Sequence, residues 1–202
     1  MELAQRLGYS YVDTGAMYRA VALAALLAGI AGEDAVALAR LAESVTIEEV
    51  WQENGILRVF LNRRDVTEEI RRPEVSRFVS AVAQVPGVRE QLTAKQRRMA
   101  VGGRVVVEGR DIGTVVLPDA EKKFFLTATV EERAWRRFLE MTRQGYAVTL
   151  EEQIREIVAR DTQDATRTVA PLVPAPDAVV IDTTGKSPEQ VVEELTAMIR
   201  GG

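Results

Sequence analysis

The run Val105-Val106-Val107-Glu108-Gly109-Arg110-Asp111-Ile112-Gly113-Thr114 constrains this chain most, because a β-branched stretch stops abruptly at two adjacent opposite charges between glycines. It predicts a buried strand whose carboxyl end presents Arg110 and Asp111. In open parallel α/β sheets, ligands sit outside the carboxyl ends of the strands, where a side chain just past the last paired residue projects into a crevice. A guanidinium there suits a phosphate or a carboxylate, and the carboxylate beside it can accept hydrogen bonds from an amino group. A surface turn with a solvated ion pair is the alternative at this point. Two further constellations of the same chemistry favour binding.

Composition narrows the classes. At 202 residues, 47% hydrophobic and 28% charged, the chain can bury a full core and is expected to form one globular domain, with room for an insertion. A formal net charge of −4 supplies no basic field for nucleic acid or an anionic membrane, so arginines must act one by one. Without cysteine there are no disulfides, thiolate nucleophiles or zinc-thiolate sites; a reducing cytoplasm is compatible. Histidine is also absent, which moves the expected chemistry from acid-base work to substrate positioning by arginine. The apolar run from Ala20 to Ile30 is too short to span a bilayer and reads as a buried helix, and no signal peptide is visible.

Along the chain, strands alternate with helical patterns, which predicts a parallel sheet covered on both faces. Strands are expected at 9–12, 105–108, 122–126 and 178–181, and helices at 15–28, 33–43, 130–144, from about 150 and from 188. Between Val45 and Asp65 the period drops to two, and Ile56 to Asn62 alternates as a hairpin strand does, so a small antiparallel insertion is expected there. Helical spacing fills 67–99, broken near Pro86-Gly87.

The second constellation is Asp13-Thr14-Gly15-Ala16-Met17-Tyr18-Arg19, again at a strand end and a helix start. Thr14 is expected to cap that helix, its hydroxyl and the free amides forming an anion site within reach of Arg19; an ordinary N-cap is the alternative. The third is Arg160-Asp161-Thr162-Gln163-Asp164-Ala165-Thr166-Arg167, whose spacing puts Arg160, Asp164 and Arg167 on one helical face that leads into the proline-rich stretch 171–176. A mobile lid carrying arginines to a substrate fits it, and so do intrahelical salt bridges.

Together these segments resemble the bacterial cytidylate kinase family. The match also takes in Asp-Val-Thr at 65–67, Arg-Pro-Glu-Val-Ser at 72–76, Val88-Arg89-Glu90 and Val169-Ala170-Pro171-Leu172, and runs from Leu3 to the chain end. The resemblance implies an α/β nucleoside monophosphate kinase (P-loop kinase) fold, a parallel sheet flanked by helices. Residues 1–43 and 85–202 would form the core, with a lid near 143–170, and 44–84 the monophosphate-binding insertion. It implies transfer of the γ-phosphoryl of ATP, with Mg2+, to CMP or dCMP in the cytoplasm; the net charge argues against nucleic-acid and membrane partners, and no obvious interface helix argues against a monomer. By position, Thr14, Arg19 and Arg110 match phosphate contacts, Ser80, Arg89 and Asp111 the cytosine contacts, Arg160 and Asp164 the ribose contacts, and Arg167 a contact to ribose and phosphate. Cytosine carries an amino donor beside ring acceptors, so Asp111 can take the donor while Arg89 and Ser80 serve the acceptors. Phosphoryl transfer depends mainly on positioning and positive charge, which a site of arginines without histidine supplies.

The family also begins with a strand and the loop Gly-x-x-x-x-Gly-Lys-Ser/Thr, whose amides and lysine cradle the ATP phosphates. The 202 residues contain no such loop, and Met1 to Leu7 resembles the later turns of the helix that follows it. A gap in the sheet is therefore expected, with better binding of CMP than of ATP and little turnover by the chain as written. A non-catalytic CMP-binding protein, or an inactive truncated form, stays open beside the kinase. Gly185-Lys186-Ser187 is a decoy, with Val180 where the first glycine should stand and Ser187 expected as the N-cap of a helix opened by Pro188. Arg136 and Arg137 are secondary candidates for the donor phosphates. Trp51 and Trp135 are expected to serve packing.

Overall fold

The computed structural model describes residues 1–52, 55–166 and 169–201. The chain divides into two compact units, Leu3–Ile112 (with Met1) and Gly113–Gly202 (with Glu2). Among the described residues the parallel strands form two pairs, one in each unit, and each pair collects its own helices.

In the first unit, α1 (Glu2–Leu7) ends at Gly8, whose left-handed backbone turns the chain into β1 (Ser10–Asp13). β1 pairs in parallel with β5 (Val105–Glu108), register Asp13 to Glu108, so both carboxyl ends finish at the same level. Between them in sequence come α2 (Thr14–Leu27) and α3 (Ala35–Ser44), then the antiparallel sheet β2 (Ile47–Trp51), β3 (Leu57–Leu61) and β4 (Arg64–Asp65), and finally α4 (Pro73–Gln84) and α5 (Pro86–Met99). The antiparallel insertion expected over 45–65 is this three-stranded sheet.

α2 explains the core. Its sequence is apolar almost all round, and such a helix must be wrapped on several sides. Met17, Ala20, Val21, Ala22, Leu23 and Ala25 are buried, packed with Leu38, Val59, Ile70, Val75, Val82, Val88 and Leu92 from the surrounding elements. Polar side chains close two of the joints. Lys95 donates to the carbonyls of Ala42 and Val45 at 2.8 and 2.6 Å, where α3 ends and leaves carbonyls exposed. Asp65 accepts from the backbone N–H of Thr67 at 3.0 Å and its hydroxyl at 2.6 Å, and pairs with Arg58. These bonds, those from Thr67 first, hold the Asp65 carboxyl down to about 2. The Asp-Val-Thr motif thus closes the insertion by local hydrogen bonding.

The second unit is built on β6 (Phe124–Thr127) paired in parallel with β7 (Val179–Asp182). α6 (Val130–Arg143) and α7 (Leu150–Thr166) pack on each other. α8 (Pro188–Arg200) starts with Pro188 after Ser187, which caps it as expected; Gln190 completes a reciprocal capping box. β6 and β7 start one or two residues later than the pattern suggested, and at their carboxyl ends Thr183 extends the ladder by hydrogen bonds to the Thr127 carbonyl.

Candidate functional site

The carboxyl ends of β1 and β5 carry the expected charges. Asp13, the last residue of β1, rather than Thr14, is the N-cap of α2, one carboxylate oxygen accepting from the N–H of Ala16 at 2.9 Å. Thr14 is already the first residue of the helix, and its hydroxyl instead donates to the carbonyl of Glu108 at 2.7 Å, tying the start of α2 to the end of β5. That contact crosses a large sequence separation, so spacing alone could not show it. Gly109 follows at closest approach; a Cβ there would collide with the Thr14 hydroxyl and the Ile112 side chain.

Arg19 lies on the second turn of α2, its Nη2 3.4 Å from the other carboxylate oxygen of Asp13. Its Nε is buried without a hydrogen-bond partner. The guanidinium is therefore only partly satisfied by protein, the state expected of a group that takes an anionic ligand. Arg110 is exposed, directly after Gly109.

Asp111 is 6% exposed and Arg89 5%. They form an ion pair, Arg89 Nη2 to Asp111 Oδ2, while Nη1 donates to the carbonyl of Ala83 at 3.1 Å. The guanidinium stands over the ring of Tyr18, 5.6 Å from its centroid. Arg89 comes from α5 and Tyr18 from α2, so three elements of one core fix this pair. Ser80 sits half-buried on α4.

Sequence reasoning missed Glu49. It comes from β2, and its Oε2 accepts the backbone N–H of Asp13 at 2.9 Å. Burial pushes its carboxyl up to about 8, against the pull of the Asp13 N–H; the Asp13 carboxylate adds to the rise and Arg19 opposes it. A signal was present: in Ile47-Glu48-Glu49-Val50-Trp51 the alternation puts Glu49 on the face of Ile47 and Trp51. Next to it, Tyr11 donates to Glu108 at 2.6 Å and meets Trp51 edge-on at 6.0 Å. Burial, followed by the Glu108 carboxylate, raises the Tyr11 phenol well above its usual range.

In the second unit, Arg160 and Asp164 share a face of α7 with Nε to Oδ2 at 3.9 Å; Arg160 is half-exposed and Asp164 buried. Arg167 lies outside the described residues. Arg133 pairs with Asp161 at 2.6 Å, linking α6 to α7. Arg136 spreads its guanidinium over Glu132, the hydroxyl and carbonyl of Thr183 and the carbonyl of Lys186, which makes it a brace for the β7–α8 turn. Arg137 pairs with Glu140 at 2.9 Å. Trp135 stacks on Phe138 at 5.6 Å, as a packing residue does. No helix is long and apolar enough to cross a membrane among the described residues.

Comparison with known proteins points the same way as the site. A family model described as cytidylate kinase matches residues 1–201. A cytidylate kinase of Pelotomaculum thermopropionicum is 53% identical over 200 residues, covering 99% of this chain and 88% of that protein. Those of Symbiobacterium thermophilum and Desulforamulus reducens are each 50% identical, over 96% and 100% of this chain and 85% and 90% of their own lengths. Identity at this level over nearly the whole chain, together with the family match over residues 1–201, places the chain in the cytidylate kinase family.

Proposed function

We propose that this protein transfers the γ-phosphoryl of ATP to CMP and dCMP, and that the end of the β1–β5 pair is its acceptor site. One observation carries the assignment: a half-satisfied arginine at a helix start, Arg19, and a buried complementary pair, Arg89–Asp111, meet at neighbouring strand ends within one packed unit. The first suits a phosphate and the second an amino-bearing base. Arg19 and Arg110 take the phosphate, and Thr14 joins them through its backbone N–H, since its hydroxyl proton is committed to Glu108. Ser80, Arg89 and Asp111 read cytosine, Asp111 accepting from the amino group. Arg160 and Asp164 serve the ribose, and Arg167 ribose and phosphate, as the family resemblance implies. Residues 44–84 act as the monophosphate-binding insertion and 143–170 as the lid.

Mg2+ enters as part of the donor substrate. It keeps several waters and is held largely by nucleotide phosphates, so it needs no all-protein cage. A cytoplasmic monomer without nucleic-acid partners completes the proposal, in keeping with the net charge of −4.

Calorimetric titration with CMP and with cytidine tests the phosphate half. CMP should bind more tightly by at least about tenfold, since charge-assisted bonds to phosphate are each worth about 1.5–3 kcal/mol. Arg110→Lys should narrow that gap, because a point charge cannot reproduce the planar fork. Equal affinities for the two ligands would sink the assignment.

A further inference from the structure

Glu49 stands next to the phosphate-side arginine and has no role in the reading above. Its Oε2 takes the Asp13 N–H, and its Oε1 is buried without a hydrogen-bond partner. Arg19 mirrors it, with Nη2 turned to Asp13 and Nε buried and unpartnered. Two carboxyl groups thus flank one guanidinium at the first turns of α2. The groups facing Glu49 are Asp13 from β1, Arg19 from α2, and Tyr11 from β1, whose hydroxyl is held by Glu108 from β5. Ionised, Asp13, Glu49 and Glu108 would outnumber the two arginines assigned to the phosphate, Arg19 and Arg110, and repel an incoming dianion. A buried carboxyl oxygen with no donor beside it suits a neutral acid better than an anion.

We propose that Glu49 is a positioning residue for the acceptor phosphate: as a neutral carboxylic acid it holds the turn from Asp13 to Gly15 through the Asp13 N–H and leaves the charge of Arg19 to the phosphate of CMP. The Glu49 carboxyl, raised by burial to about 8, keeps its proton at neutral pH. Above that value it ionises and competes for Arg19 with the ligand. The inference rests on the reading that Arg19 meets the CMP phosphate.

The test is calorimetric binding of CMP and of cytidine to the full chain at pH 7 and pH 9, for the parent, Glu49→Gln and Arg19→Ala. The CMP phosphate, whose second pKa is about 6, is a dianion at both. A carboxyl titrating near 8 is about ten parts ionised to one protonated at pH 9, so the parent should lose about tenfold in CMP affinity between the two, and none for cytidine. Glu49→Gln keeps an acceptor for the Asp13 N–H and cannot ionise, so its loss should stay under about twofold by the same reasoning. A parent whose CMP affinity is flat from pH 7 to pH 9, a variant with the parent's slope, or an equal loss for cytidine overturns the proposal. Arg19→Ala separates the two levels: equal losses for CMP and cytidine there defeat the phosphate reading itself. A selective CMP loss there, with no flattening in Glu49→Gln, defeats only the role of Glu49.

Discussion

Arg89 and Arg160 each pair with an aspartate, and the two pairs could hardly be set more differently. Arg89–Asp111 is sealed between α5, α2 and the end of β5, with both side chains under a tenth exposed and a tyrosine ring beneath the guanidinium. Arg160–Asp164 lies four residues apart on one helix at 3.9 Å, with the arginine side chain 38% exposed. The surroundings differ in the same sense. The first unit wraps a largely apolar helix in a continuous buried cluster running from Ala16 to Leu92. The second exposes Leu126, Val179 and Val180 on its two-stranded sheet. Base recognition needs a donor-acceptor geometry fixed before the ligand arrives, and only a packed core provides that. If Arg160 serves the ribose from a lid, as proposed, such rigidity would gain it nothing.

The comparison can be broken by removing one carboxylate from each pair. Asp111→Ala leaves the Arg89 charge buried without its counter-ion, which should cost about 3–5 kcal/mol in denaturant unfolding. Asp164→Ala should cost far less through its ion pair, about 0.5 kcal/mol, as an i, i+4 helix pair does. Similar losses would mean that the two pairs do not differ as described.

Glu49→Gln sharpens the picture from the pH side. The folded carboxyl titrates near 8 against an ordinary 4.5, so the folded state holds its proton more tightly than the unfolded chain does. Its contribution to stability is therefore fully present below about 4.5 and is lost as pH rises through about 8. The variant lacks this dependence, and each pH unit of displacement is worth about 1.4 kcal/mol. Relative to the parent it should gain stability by ~2 kcal/mol or more between pH 5 and pH 8.5. Thermal unfolding across that range checks it, and a difference independent of pH would contradict a buried, protonated Glu49.

Smaller again is Thr14→Val, which removes the bond to the Glu108 carbonyl and leaves that acceptor without its hydroxyl. A loss of about 1–2 kcal/mol is expected in chemical denaturation, where a change near zero would show that the β1–β5 junction does not depend on it.

What was legible in the sequence follows the same division. The largely apolar α2 declared itself because burial on nearly every side leaves a strong pattern; the β-branched run of β5 was legible as a strand, but its valines are half-buried where a buried strand was expected. Arg89 and Asp111 were visible as motif members, but not their mutual ion pair, which joins residues 22 apart. Asp13 was read as part of a motif without its capping role, since the competition between Asp13 and Thr14 is decided by β5. Glu49 was overlooked because glutamates in an edge-like strand usually face water, and only its place on the apolar face spoke against that.

The central claim is that the buried Arg89–Asp111 pair makes this site a reader of cytosine, and competition binding on the unaltered protein tests it most directly. CMP, UMP and AMP carry the same phosphate and differ in what their bases offer the pair. CMP should bind at least about tenfold more tightly than UMP or AMP, because a base that leaves a buried donor or acceptor unmatched costs on the order of 1–3 kcal/mol. Equal affinity for UMP or AMP would contradict the account, leaving a phosphate site with no choice of base.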